Sequence, residues 1–95
     1  MAEVTMFTAA MCPYCNAAER LLRAHGVAEI RKVRIDQSAE GRAEMLARSG
    51  GRRSVPQIFI DETHVGGFDD LSALHHAGRL APLLAGDPPA VPAQP

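Results

Sequence analysis

The chain holds only two cysteines, Cys12 and Cys15, and they stand at a junction between two different rhythms of sequence. Ahead of them, Val4-Thr5-Met6-Phe7-Thr8 is short, β-branched and aromatic, which reads as a strand. Behind them, from Pro13 to His25, residues Ala17, Ala18, Leu21 and Leu22 share one helical face, and Asn16, Glu19, Arg20 and Arg23 face away. Pro13 suits a first helical position, where its missing N–H would be unpaired anyway. A thiol at that point meets backbone N–H groups with no intrahelical partner and the positive end of the helix dipole. Both favour thiolate over thiol. A free cysteine titrates near about 8.5, and in Cys-X-X-Cys settings the value falls to roughly 3.5–7.5. Cys15, one turn on, can then attack a mixed disulfide formed on Cys12. The junction predicts thiol–disulfide exchange.

The remaining pattern alternates. Gly26 suits the left-handed stop of the first helix. Arg31 to Ile35 reads as a second strand, in which Val33 and Ile35 alternate and Ile30 is out of phase. Ser38 can cap a second helix running to about Ser49, with Ala43, Met45, Leu46 and Ala47 as its apolar positions and Gly50 as its stop. Gln57-Ile58-Phe59-Ile60 and Thr63-His64-Val65, separated by Asp61-Glu62, read as a hairpin. Gly66-Gly67 precedes a helix from about Asp69 to Ala77, and Leu80, Leu83 and Leu84 continue a short helical segment past Gly78. The order βαβαββα predicts an α/β fold, a mixed four-stranded sheet with helices around it. From Gly86 the chain turns rich in proline and alanine, so residues 1–85 are expected to form the domain and residues 86–95 a disordered tail.

Composition removes several function classes. A net charge of −1 gives no reason to expect nucleic acid or an anionic membrane as partner. No run of 18 apolar residues marks a membrane span. Met1-Ala2-Glu3-Val4 lacks the basic region and apolar stretch of a secretory signal, so the cytoplasm is the expected compartment. One closely spaced cysteine pair does not make a stapled secreted scaffold. Read alone, the pair could also be structural or half of a zinc site, but such sites need a second Cys or His pair. His75 and His76 are adjacent, so on a helix they point about 100° apart, and no metal site is expected. His25, His64, His75 and His76 show no catalytic pattern, and surface or helix-end positions explain them.

Four segments together carry a resemblance. They are Thr8 ahead of Cys12, the run Cys12-Pro13-Tyr14-Cys15, Ser54-Val55-Pro56-Gln57-Ile58-Phe59-Ile60, and Gly66-Gly67-Phe68-Asp69-Asp70-Leu71. In this order and at nearly this spacing, over roughly Val4 to Leu84, they resemble the bacterial dithiol glutaredoxins. The resemblance implies a thioredoxin-like fold with helices on both faces of the sheet. It also implies an enzyme that reduces protein disulfides and protein–glutathione mixed disulfides, with Cys12 as nucleophile and Cys15 as resolving thiol. Glutathione would be the co-substrate, with no tightly bound cofactor, and glutathione reductase would restore the pool. Clients would be disulfide-containing or glutathionylated proteins, ribonucleotide reductase among them, and the protein would act as a monomer.

The same resemblance assigns a glutathione site. Pro56 would be cis beside the active thiol, leaving the Val55 backbone to pair with an extended peptide as an added strand does. Ser54, Val55 and Pro56 would line one side. Gly67 and the amides from Phe68 onward would take the γ-glutamyl carboxylate at a helix N-terminus, with Asp69 or Asp70 on its ammonium. Asp69 is also the expected helix cap. Tyr14 would cover the mixed disulfide; for Arg52 and Arg53 two readings stay open, contact with the glycine carboxylate or plain solvation in the loop.

Three positions depart from the family pattern: Ala9 stands where many members carry a lysine, the Ser49-Gly50-Gly51-Arg52-Arg53 loop is one residue longer, and Phe68 replaces a cysteine of some relatives. Two other readings fit a pair of this kind. One is a redoxin coupled to thioredoxin reductase, whose relatives usually lack the Gly-Gly-X-Asp-Asp segment. The other is a glutathione-ligated [2Fe–2S] carrier, whose relatives typically have a small residue at the position of Pro13.

Overall fold

A computed structural model describes residues 2–87, and the expected tail therefore lies almost wholly outside the described residues. The elements in order are β1 (Val4–Thr8), α1 (Pro13–Ala24), β2 (Arg31–Arg34), α2 (Ala39–Arg48), β3 (Gln57–Ile60), β4 (Thr63–Gly66), α3 (Phe68–His76) and α4 (Leu80–Leu84). The sheet order is β2-β1-β3-β4. β2 runs parallel to β1, with Phe7 opposite Val33. β3 runs antiparallel to β1, with Met6 opposite Ile58, and β4 pairs antiparallel with β3. The expected α/β architecture is present, with one addition: Gly78, at φ 72°, breaks the last helical stretch and makes α4 a helix of its own.

Strands β1 and β3 lie at the centre and are buried along their whole length. One face of the sheet carries Val4, Met6, Ile58 and Ile60 against Ala18 and Leu22 of α1, Leu71 of α3 and Leu80, Leu83 and Leu84 of α4. The other face carries Phe7 and Phe59 against Met45 of α2, with Val33, Ile35 and Val55 at the margin. Ile30, out of phase with Val33 and Ile35, packs on the first of these faces. Because both faces are covered, neither register is wasted.

Helix α2 corrects the apolar positions expected for it. Ala43 and Ala47 are exposed, and the buried seam is Gly41, Met45 and Ser49, one turn apart in succession. Gly41 lets the helix lie close to β2: a Cβ there would fall 2.5 Å from Val33 Cγ1. Ser38 caps the helix as expected, its Oγ accepting from the Gly41 N–H at 2.9 Å.

Candidate functional site

The site lies at the C-terminal end of β1, where the chain leaves the sheet and turns into α1. Met11, at φ 53°, occupies a left-handed backbone position that bulky residues rarely adopt, and it is 98% exposed. Such conformations cluster at functional sites. The next residue, Cys12, is the N-cap of α1, and its Sγ accepts from the Cys15 N–H at 3.2 Å. Cys12 is half-buried, whereas Cys15 is 2% exposed. The two are joined as a disulfide, with Cα atoms 5.2 Å apart. One sulfur therefore faces out over the helix start and the other faces the core.

Across from Cys12 lies the loop that enters β3. The Val55–Pro56 bond is cis, and the Val55 carbonyl oxygen sits 4.0 Å from Cys12 Sγ. The third wall comes from β4 and α3. A bulge shifts the β3–β4 register between Ile58 and Phe59, with Gly66 at φ 109° at its end. That kink swings Gly67 toward the proline loop, where a Cβ on Gly67 would meet the Pro56 carbonyl oxygen at 3.6 Å. α3 begins at Phe68, one residue earlier than expected. Its first-turn amides have no partner within the helix, as at any helix start, and Phe68, Asp69 and Asp70 line the space between the loops.

These walls enclose an open groove of about 270 Å³ lined by Tyr14, Arg52, Ser54, Val55, Pro56, Gly67, Phe68, Asp69 and Asp70. Every glutathione-site residue expected beyond Cys12 is in that lining, and Arg52 joins it while the exposed Arg53 does not. The Tyr14 and Phe68 rings lie 6.2 Å apart across it. Arg52 is held by Ser49, whose Oγ accepts from the Arg52 N–H at 3.0 Å and donates to its carbonyl at 3.2 Å. A larger hollow of about 810 Å³ lies at the other end of the sheet, around Ala2, Arg23 and Glu29, and holds none of these residues.

Two expectations need correction. The side chain that caps α3 is Asp70, not Asp69: its Oδ2 accepts from the Gly67 N–H at 2.9 Å. Asp69 is exposed in the first turn beside the groove. His64 is not a plain surface residue either. It is half-buried on β4, its Nε2 lies 2.7 Å from Gln57 Oε1, and its ring stacks on Phe59 at 4.7 Å. Burial lowers its pKa first, with Arg52 and Arg48 adding to the shift and Asp70 opposing it. The one sequence signal for this pairing was a glutamine inside an otherwise apolar strand. His25, by contrast, caps α1, and His75 and His76 end α3, as expected.

Among the described residues no group of three or more His, Cys, Asp or Glu side chains is arranged to hold a metal ion. No described helix is long and apolar enough to cross a membrane.

Comparison with known proteins places this geometry. The glutaredoxin family model matches residues 4–65. A glutaredoxin of Neisseria meningitidis serogroup A is 57% identical over 84 residues, covering 88% of this chain and 98% of the relative. Glutaredoxin 3 of Escherichia coli K12 is 51% identical over 84 residues, covering 88% and 99%. The solution structure of Brucella melitensis glutaredoxin superposes with TM-score 0.72 at 45% identity, covering 93% of this chain and 95% of that one. A buckwheat glutaredoxin–glutathione complex superposes with TM-score 0.77 at 31% identity, covering 90% and 78%. With the cysteine pair at the start of α1 and these relatives along nearly its whole length, the chain belongs to the glutaredoxin family of thiol–disulfide oxidoreductases.

Proposed function

We propose that Cys12 is the nucleophile, Cys15 the resolving thiol, and the groove between Tyr14, Ser54–Pro56 and Gly67–Asp70 the seat of glutathione. The observation that carries the reading is the contrast between the two sulfurs. Cys12 sits half-exposed at the N-cap of α1, receiving the Cys15 N–H, and Cys15 is buried one turn behind it. A negative sulfur at that cap is stabilised by the amide and by the helix dipole, and burial disfavours the same charge on Cys15.

In the reaction, reduced Cys12 thiolate attacks the glutathionyl sulfur of a protein–glutathione mixed disulfide. A Cys12–glutathione bond forms as the client thiolate leaves and takes a proton. A second glutathione thiolate then attacks the glutathionyl sulfur, which releases glutathione disulfide and returns Cys12 thiolate. For a protein disulfide, Cys12 first bonds to a client sulfur, and Cys15 displaces the client to leave the Cys12–Cys15 disulfide. Two glutathiones reduce that disulfide and become glutathione disulfide.

The groove supports a tripeptide in a fixed direction. The Val55 backbone pairs with the cysteinyl unit, the first amides of α3 receive the γ-glutamyl carboxylate, and Arg52 is the arginine for the glycine carboxylate. Asp69 takes the ammonium, since Asp70 is engaged with the Gly67 N–H. Tyr14 covers the mixed disulfide. The buckwheat relative, solved as a glutathione complex, supports glutathione as the ligand. The chain acts as a monomer in the reducing cytoplasm on glutathionylated or disulfide-bonded clients, residues 1–85 forming the working domain. No tightly bound cofactor enters the cycle. The test is turnover of a glutathionylated peptide with glutathione: wild type releases the peptide thiol and Cys12→Ser does not. Activity retained by Cys12→Ser would refute the assignment.

A further inference from the structure

The strand that follows the cis proline begins with a polar side chain buried as completely as any core residue. Gln57 is 0% exposed, and both ends of its amide are bonded. Its Oε1 faces His64 Nε2 at 2.7 Å, and its Nε2 donates to Ser54 Oγ at 3.3 Å. A carbonyl oxygen only accepts, so with the Gln57 amide oriented this way the hydrogen between Gln57 and His64 belongs on His64 Nε2. The remaining link then has a fixed direction. Because Gln57 donates to Ser54 Oγ, the hydroxyl hydrogen of Ser54 is turned away from Gln57, on a residue that lines the groove. The ring that sets this order is itself held, stacked on Phe59 with planes 17° apart, while the Arg48 guanidinium lies 4.2 Å from the same Phe59 centroid.

We infer that His64 is a positioning residue for glutathione: through Gln57 it fixes the polarity of the chain His64–Gln57–Ser54, so that the Ser54 hydroxyl donates into the groove. The inference rests on the groove reading above. Its ligand chemistry follows: the Ser54 hydrogen is free for an acceptor of the tripeptide, a carboxylate or peptide carbonyl. A ring in the other tautomer, or an apolar side chain, frees Gln57 to turn its amide over. Ser54 would then spend its hydrogen on Gln57 and offer the ligand only lone pairs.

The test is steady-state kinetics on a glutathionylated peptide with wild type, His64→Gln, His64→Phe, Ser54→Ala and the double variant Ser54→Ala/His64→Phe. His64→Phe keeps a ring to stack on Phe59 but loses the donor, and His64→Gln keeps an N–H donor. One lost hydrogen bond is worth roughly a three- to tenfold change, so His64→Phe raises KM by that factor with kcat unchanged, and His64→Gln stays near wild type. In the His64→Phe background Ser54→Ala adds no further loss. Equal KM values for the Gln and Phe variants, or the same Ser54→Ala effect in both backgrounds, would overturn the inference. A measurement on unaltered protein stands beside these: ring nitrogen NMR of His64 at neutral pH should find Nε2 protonated and Nδ1 bare. The opposite tautomer would overturn the relay without any variant. Wild-type protein inactive on the peptide would instead sink the groove assignment, and the tautomer would still decide the relay.

Discussion

Replacing Gly41 with alanine sets two effects of similar size against each other. Glycine inside a helix costs about 0.5–1 kcal/mol relative to alanine, so on propensity alone the change stabilises. Packing opposes it. The new Cβ would lie 2.5 Å from Val33 Cγ1, 3.2 Å from Ser38 Oγ and 3.3 Å from Ser38 Cβ. Carbon atoms prefer about 3.5–4.0 Å, so the Val33 contact is about 1 Å or more too short. Neither neighbour yields easily. Val33 is β-branched and stiff at χ1, and Ser38 is held in place as the cap of α2 by its bond from the Gly41 N–H. The helix must therefore lift from β2, an overpacking cost of about 1–3 kcal/mol. Taking the middle of each range, the net is about 1 kcal/mol of destabilisation. At about 4–8 °C per kcal/mol for a domain of this size, the melting temperature falls by roughly 4–8 °C. Thermal unfolding followed by far-UV circular dichroism reads this directly, and Val33→Ala in the same chain should recover much of the loss by removing Cγ1. A Gly41→Ala protein that melts at or above wild type would refute the reasoning.

Three further outcomes are expected. Gly67→Ala separates stability from function: its φ is −90° and its Cβ finds only ordinary contacts at 3.6 Å and beyond. Its melting temperature should stay within a few degrees of wild type while KM for a glutathionylated peptide rises, and an unchanged KM would count against the groove. Cys15→Ser should still turn over the glutathionylated peptide, lose catalytic reduction of a protein disulfide, and accumulate client-linked protein on gels, which no trapped client would contradict. His64 gives stability a pH dependence. Its folded pKa lies below the ordinary value of 6.5 because burial disfavours the imidazolium, so the unfolded chain binds the proton first. That contribution is complete above the unfolded value and is lost as pH falls through the lower folded value. Urea unfolding of wild type and His64→Gln across that window should show the wild-type loss shrinking in the variant, and parallel curves would contradict it.

What could be read in the sequence was whatever local chemistry fixes. Ser38 as cap, Pro13 at the first helical position and Asp61-Glu62 as hairpin turn are where one residue type satisfies one backbone need, and Asp61 indeed takes φ 51°. The cysteine turn, the proline loop and the Gly-Gly segment were legible for the same reason, each being a contiguous run. Features that depend on a partner far along the chain were not. Ala43 and Ala47 look as apolar as Met45, yet α2 approaches the sheet along Gly41, and only the contact with Val33 decides that seam. Asp69 and Asp70 differ by one position, and the direction of the chain entering α3 chooses Asp70 as the cap. His64 reads as an ordinary strand residue until β3 brings Gln57 beside it.

The most direct measurement is the pH dependence of iodoacetamide alkylation of Cys12 in reduced Cys15→Ser protein, where no second thiol competes. With its sulfur at the start of α1 taking the amide of residue 15, the expected midpoint falls within roughly 3.5–7.5, below the about 8.5 of a free thiol. A midpoint at or above that of an unstructured cysteine would mean that the helix start does not activate this sulfur, and the assignment of Cys12 as nucleophile would be contradicted.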